Sequence, residues 1–180
     1  TPDPSVSSHV SVAGFGKASD VAAELNQILL DDMQGDTYFT MAYADVDLLT
    51  GRVTLVQAGH PHPVILRHDG TVEMLGTGGL PIGLIADADY QTITAVLNPG
   101  DRLILVSDGM TEVLDANGKM LHDDGFAALL SEIDDAAGAA FADALMDRLC
   151  RINGGNFADD VSAVLFDFER PGRDGHRVQA

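Results

Sequence analysis

Residues 102–112 have the sequence Arg-Leu-Ile-Leu-Val-Ser-Asp-Gly-Met-Thr-Glu, in which an apolar segment runs directly into Ser-Asp-Gly. The almost wholly apolar run at 102–106 predicts a strand that is buried on both faces. A strand delivers the residue at its end to a fixed place, and Gly109 allows the backbone to turn sharply after Asp108. This stretch therefore predicts a central strand that presents a carboxylate at its end.

A second pair of carboxylates adjoins an apolar segment further along the chain. Asp159 and Asp160 immediately precede the apolar residues 161–166, which predict another buried strand. If the two strands are neighbours, Asp108 and Asp159 can face one another. Carboxylates brought together repel each other, and a divalent cation removes that cost. Oxygen ligands favour Mg2+ or Mn2+ over zinc, although a simple turn at Asp108 and a strand cap at Asp159 are alternative interpretations.

The remaining apolar pattern predicts consecutive hairpins, with helices before and after them. The predicted strands are residues 38–47 paired with 52–58, residues 63–67 paired with 71–75, and residues 90–97 ahead of 102–106. The predicted helices run from Ser19 to about Met33, through Phe126 to Ile133, and from Phe141 to Ile152. Hairpins with segregated helices indicate an α+β fold in which helices cover sheet faces.

The composition indicates a folded and strongly acidic chain. Hydrophobic residues make up 46% of the 180 residues, which is enough for a sizeable core, and the formal net charge is -18. Such a surface repels phosphate backbones and anionic headgroups, so we expect no nucleic-acid partner and no membrane-surface binding. There is no run of about 18 apolar residues to predict membrane insertion. The single cysteine excludes an intrachain disulfide framework.

Five short motifs occur in one order along the chain. They are Ala58-Gly59-His60-Pro61, Gly79-Leu80-Pro81-Ile82-Gly83, Pro99-Gly100-Asp101-Arg102-Leu103, Ser107-Asp108-Gly109-Met110-Thr111-Glu112 and Asp159-Asp160-Val161-Ser162. In this order and spacing, the chain resembles the SpoIIE/RsbU branch of the PP2C-like (PPM) metal-dependent serine/threonine phosphatase domains. The resemblance implies an αββα sandwich of antiparallel sheets flanked by helices.

The same resemblance implies a site, a reaction and partners. In that family, the aspartates that match Asp108 and Asp159 hold two Mn2+ or Mg2+ ions. A water between the ions attacks the phosphorus of a phosphoserine or phosphothreonine. The resemblance further implies a cytoplasmic output domain, a phosphorylated regulatory protein as substrate (a STAS-type anti-sigma-factor antagonist), and an upstream receiver or sensor domain in the full protein.

The chain departs from the family pattern at its start. The family opens with a strand carrying a Gly-Asp-x-x-Gly-His-Gly motif, whose aspartate bridges both metals, whereas Gly14-Phe15-Gly16 has no preceding aspartate. We therefore expect an N-terminally truncated domain that lacks its first strand and motif and is a poor catalyst as given. The expected bounds are a loop or frayed N-terminus at 1–18, the phosphatase domain at 19–168 and a flexible tail at 169–180.

Other functions stay open on the sequence alone. A non-catalytic binding or regulatory module with this fold is compatible with the missing motif, while retention of Asp108 and Asp159 favours an enzyme. An unrelated metal hydrolase is a third interpretation, which the ordered motifs disfavour. His60 and His62, two residues apart, share a face of an extended segment. They are candidates for metal binding or acid catalysis, or for simply holding a hairpin connection.

Overall fold

Two antiparallel sheets stack against each other, and helices cover their outer faces. The structure, a computed structural model, describes residues 17–32, 37–133 and 138–169. In these ranges the helices are α1 (Ala18–Asp32), α2 (Asp108–Thr111), α3 (His122–Ser131) and α4 (Ala139–Asn153). The strands are β1 (Met41–Val46), β2 (Arg52–Ala58), β3 (Val64–Leu66), β4 (Val72–Met74), β5 (Ile93–Val96), β6 (Arg102–Val106) and β7 (Ala163–Asp167).

The strand order explains why β6 is central. The first sheet has the order β1-β2-β5 and the second the order β4-β3-β6-β7, with every neighbouring pair antiparallel. The two predicted hairpins are confirmed, since Met41 lies opposite Ala58 in one and Val64 lies opposite Met74 in the other. Strand β6 therefore has β3 on one side and β7 on the other.

Side chains that alternate along the inner strands divide the core into layers. In β2, Leu55 packs between the two sheets, whereas Val56 shares a core with α1. In β6, Leu103 packs between the sheets, whereas Ile104 shares a core with α3 and α4. Because successive residues of a strand point to opposite faces, the layers follow the order helix, sheet, sheet, helix. The predicted αββα sandwich is confirmed.

The two strands that adjoin the candidate carboxylates differ in burial. Strand β6 is buried along nearly its whole length, as its apolar run predicts. Strand β7 is largely exposed, with Val164 62% accessible, so the prediction of a second buried strand is wrong. The physical reason is its place in the sheet. Within the described ranges β7 has β6 as its single hydrogen-bonded neighbour, and an edge strand has no second strand to cover it.

Several element bounds differ from the expectation. Strand β5 spans Ile93–Val96 rather than 90–97, and β7 begins at Ala163 rather than Val161. The predictions for residues 1–16 and 170–180, including the missing first strand, lie outside the described residues, and the domain bounds stay a prediction. In the part of the chain that the structure describes, no helix is long and apolar enough to cross a membrane.

Candidate active site

The end of β6 and the start of β7 meet at one edge of the second sheet. The two strands pair in register up to Val106, which lies opposite Ala163. Beyond this pair, the Ser107 N–H donates to the Ser162 carbonyl at 3.0 Å. The two strands are therefore neighbours, and the candidate aspartates adjoin their ends.

Ser107 and Gly109 bring the two backbone segments into close contact. The Ser107 hydroxyl donates to the Asp160 carbonyl at 3.0 Å and accepts the Ser162 N–H at 2.9 Å. A β-carbon at Gly109 would stand 2.4 Å from the Asp160 carbonyl oxygen and 3.3 Å from that of Asp159. The chain continues after Ser107 into helix α2, and Gly109 has no positive φ. Glycine is thus required because the Asp160 backbone approaches it closely. The sharp turn expected after Asp108 is not observed, since the chain enters a helix there.

Both candidate carboxylates are exposed and accept a local hydrogen bond. The Oδ1 atom of Asp108 accepts the Gly109 N–H at 2.9 Å, and the Oδ1 atom of Asp159 accepts the Asp160 N–H at 2.7 Å. Neither carboxylate forms an ion pair with any residue of the described ranges. This edge of the sheet therefore carries concentrated negative charge, with carboxylate oxygens accessible to a cation.

The donor chemistry of this edge fits a hard divalent cation in part. Carboxylate oxygens are ligands of Mg2+ and Mn2+, and Mg2+ takes about six donors in octahedral geometry. Among residues 17–32, 37–133 and 138–169, no group of three or more histidine, cysteine, aspartate or glutamate side chains is placed to hold a metal ion. Asp108 and Asp159 fit as two ligands of a site that needs further donors. Their role as metal ligands stays a prediction.

The electrostatic surroundings of His60 include the Asp108 carboxylate. Its Nδ1 atom is 3.2 Å from the Thr40 hydroxyl. Burial lowers the pKa of His60 below its ordinary value of 6.5, although Asp108 and the Val106 carbonyl oppose this effect.

His62 has different partners from His60. Its Nδ1 atom lies 3.0 Å from the Leu75 carbonyl oxygen, and its Nε2 atom lies 3.7 Å from a carboxylate oxygen of Asp123, in the first turn of α3. Among the described residues, the two rings therefore have different contacts. His62 instead fits the alternative role of holding a hairpin connection in place.

A cavity of about 190 Å3 borders the same edge of the sheet. Its lining includes Gly109, Val113, Leu114, Met120, Phe157 and Asp159. The Nδ2 atom of Asn153, another lining residue, is buried and has no hydrogen-bond partner among the described residues. Sequence reasoning missed this cavity because its walls come from separate segments that share no motif.

Comparison with known proteins places these features in a family. The model of the family "Stage II sporulation protein E (SpoIIE)" matches residues 9–169. The chain is 27% identical over 148 residues to phosphoserine phosphatase RsbU of Bacillus subtilis (strain 168), covering 82% of this chain and 44% of that protein. It is 26% identical over 141 residues to stage II sporulation protein E of the same organism, covering 78% of this chain and 17% of that protein. This chain thus spans less than half the length of these relatives.

Solved structures share the fold. The phosphatase domain of SpoIIE from Bacillus subtilis superposes with a TM-score of 0.68 at 24% identity, covering 89% of this chain and 69% of that chain. The SiaA-PP2C domain of Pseudomonas aeruginosa gives a TM-score of 0.74 at 22% identity, covering 85% of this chain and 61% of that chain. At these identities the likeness supports the fold alone, in agreement with the αββα layers. Because the family model matches most of its length, this chain belongs to the SpoIIE family of PP2C-like phosphatase domains.

Proposed function

We propose that this chain is a protein serine/threonine phosphatase domain that depends on Mn2+ or Mg2+. The observation that carries the proposal is that the segments of Asp108 and Asp159 meet at one sheet edge, where Ser107 joins them. Membership of the family supports it, and two relatives from Bacillus subtilis, RsbU and RsbP, are named phosphoserine phosphatases.

In this proposal Asp108 and Asp159 hold the cations, of which the complete site takes two. When bound, the ions supply an activated water and neutralise charge on the phosphoryl oxygens. The residues of this chain hold the two carboxylates in position. Strand β6 is buried on both faces and therefore rigid, and the hydrogen bonds of Ser107 hold the start of β7 against its end.

The proposed substrate is a phosphoserine or phosphothreonine in a bacterial regulatory protein. The family resemblance favours an anti-sigma-factor antagonist of the STAS type. The apolar cavity beside Asp159 has room for one apolar side chain close to the phosphorylated residue. We also propose a cytoplasmic location and a receiver or sensor domain upstream in the full protein, as the resemblance implies.

One specific observation favours a second function, a binding module without catalysis. The family motif Gly-Asp-x-x-Gly-His-Gly has its aspartate three residues before the second glycine. The corresponding position ahead of Gly14-Phe15-Gly16 is Ser11, which lies within the family match. A serine hydroxyl lacks the negative charge of a carboxylate that bridges two divalent ions. A chain of this kind would bind a phosphorylated partner without hydrolysing it.

Phosphate release from a phosphoserine peptide, measured with and without Mn2+, separates the two functions. We expect slow, Mn2+-dependent release that is lost in Asp108→Asn and in Asp159→Asn. Asp147→Asn is the matched control, because it removes the same charge from an exposed position on α4. Peptide binding without any release would favour the binding module. Release that survives both site substitutions would reject the metal site.

A further inference from the structure

The cavity of about 190 Å3 lies between two segments that continue from the candidate aspartates. The chain that follows Asp108 passes through α2 and forms one wall. There it folds back on itself, with Leu114 in an antiparallel bridge to Met120. The chain that leads from the end of α4 to Asp159 forms the other wall. Because Asp159 itself lines the cavity, a group bound there lies next to the proposed phosphatase site.

The lining combines apolar side chains with two carboxylates. Glu112 and Asp159 are both exposed, and neither forms an ion pair within the described ranges. An apolar group gains by leaving water for the apolar part of the wall, whereas a negatively charged group is repelled by the carboxylates. A cavity of about 150 Å3 admits a benzene molecule, so this cavity has room for a single side chain. The apolar lining residues are Val113, Leu114, Met120, Phe157 and Ala158.

Asn153 supplies an unpaired hydrogen-bond donor at this cavity. It is the last residue of α4 and lines the cavity. Its Oδ1 atom accepts the Gly155 N–H at 2.8 Å, and this bond identifies the other terminal atom as the nitrogen. That Nδ2 atom is buried and has no hydrogen-bond partner among the described residues. A buried donor of this kind costs free energy that an incoming acceptor recovers.

The wall of the cavity contains side chains that are free to adjust. An acceptor reaches the buried Nδ2 atom of Asn153 only when a neighbouring side chain moves aside. Met120 is partly buried, and methionine is unbranched and adapts its shape readily. Leu114 is 45% exposed and is therefore not fixed by the core.

We propose that this cavity binds a neutral side chain of the phosphorylated substrate, with an apolar stem and a hydrogen-bond acceptor at its tip, and that Asn153 selects it. Glutamine has this chemistry, since its stem packs on the apolar wall and its carbonyl accepts from Nδ2. A glutamate is repelled by Glu112 and Asp159, and a lysine has no acceptor. The inference rests on the proposed function, because the side chain belongs to a phosphoserine substrate.

The first test compares phosphoserine peptides that differ in one residue. Glutamine, norleucine, glutamate or lysine is placed in turn at each of the two positions on either side of the phosphoserine. The measurement is kcat/KM for phosphate release with Mn2+. At one position glutamine should exceed norleucine, an unbranched side chain without an acceptor, by about tenfold, and should also exceed glutamate and lysine. A preference for lysine, or no preference at any position, would overturn the inference.

Substitution of the donor tests whether Asn153 makes the selection. Asn153→Leu removes the Nδ2 atom and should abolish the preference for glutamine over norleucine. Asn156→Leu is the matched control, because it makes the same change at an exposed residue of the same lining and should keep the preference. A preference that survives Asn153→Leu, or that is lost equally in both variants, would overturn the role of Asn153.

A titration with butanamide and with butanoate separates this inference from the proposed function. Butanamide has the stem and carboxamide of glutamine, and butanoate has the same shape with a negative charge. In nuclear magnetic resonance spectra of the protein, butanamide should shift the side-chain amide signals of Asn153 and the backbone amide signal of Phe157, and butanoate should not. If no peptide is hydrolysed, the proposed function fails and this titration alone decides the inference. No shift with butanamide, or equal shifts with both compounds, would overturn it.

Discussion

The carbonyl oxygen of Asp160 occupies the space that a side chain on Gly109 would need, 2.4 Å from the position of a β-carbon there. The Ser107 hydroxyl donates to the same carbonyl at 3.0 Å. Two backbone segments that are distant in sequence are therefore in direct contact immediately beside both candidate aspartates. This contact fixes the distance between the segment that precedes β7 and the start of α2.

Gly109→Ala should disturb this contact. The added methyl group meets backbone, which cannot rotate away, so we expect the free energy of unfolding to fall by about 1–3 kcal/mol. The affinity for Mn2+ should fall with it, and urea denaturation and calorimetry measure the two effects. Gly125→Ala, in helix α3, is the control, because its added methyl group meets the movable side chain of Leu121, the residue directly before that helix. Equal effects of the two substitutions would contradict the argument.

Ser11→Asp should tighten Mn2+ binding. We expect weak binding in the unsubstituted chain, because Asp108 and Asp159 supply only part of the donors that the ion takes. An added carboxylate at the motif position should raise the affinity by roughly tenfold, since affinity for hard cations rises with ligand charge. Ser8→Asp adds the same charge away from that position and should have little effect. Tight binding of two ions by the unsubstituted chain would show that other donors complete the site.

Asp101 is a buried carboxylate that organises the turn between β5 and β6. It is 3% exposed and accepts hydrogen bonds from the Asn98 and His68 N–H groups and from Arg67. Burial raises the pKa of Asp101, but these hydrogen bonds and the positive charge of Arg67 outweigh it and hold the pKa below the ordinary value of 3.8. The ionised form therefore stabilises the fold at neutral pH.

Asp101→Asn should make the stability of the protein less dependent on pH. Because the folded-state pKa is lowered, the contribution of Asp101 is complete above its ordinary pKa of 3.8 and is lost as the pH falls through the folded value. We expect the substitution to lower the free energy of unfolding by about 2–3 kcal/mol at pH 7. The difference in the free energy of unfolding between the unsubstituted protein and Asp101→Asn should shrink as the pH falls below 3.8. Urea denaturation between pH 7 and a pH below 3.8 measures this difference, with Asp147→Asn as the control at an exposed position. A difference that does not change with pH would contradict the stabilising role of the ionised Asp101.

Asn26 is a buried polar residue through which α1 holds the loop ahead of β5. Its Nδ2 atom donates to the Ile85 carbonyl at 2.9 Å, and its Oδ1 atom accepts the Gly83 N–H at 2.7 Å and the Tyr90 hydroxyl at 3.2 Å. Asn26→Ala leaves these groups unpaired and should lower the free energy of unfolding by about 2–4 kcal/mol. Tyr90→Phe removes the hydroxyl alone and should lower it by about 0.5–1.5 kcal/mol. The reverse order in thermal or urea denaturation would contradict this account.

Local sequence pattern was enough to predict most of the strands. Alternating residues at 38–47 and 52–58 and the apolar run at 102–106 each correspond to observed strands. The burial of β7 was predicted wrongly because a strand's burial depends on the number of its neighbours, which its own residues do not reveal. The short helix α2 was missed for a similar reason, since four residues are too few to show a helical period.

By itself the sequence determined which segments form strands and helices, the αββα class through its ordered motifs, and the two aspartates that adjoin strand ends. Only the tertiary structure decided that β6 and β7 are neighbours, that the ring of His60 contacts Thr40 while that of His62 lies near Asp123, and that Gly109 touches Asp160. Periodicity and residue type are local properties of the chain. Distances between remote segments depend instead on how whole layers pack, and no single stretch of sequence contains that information.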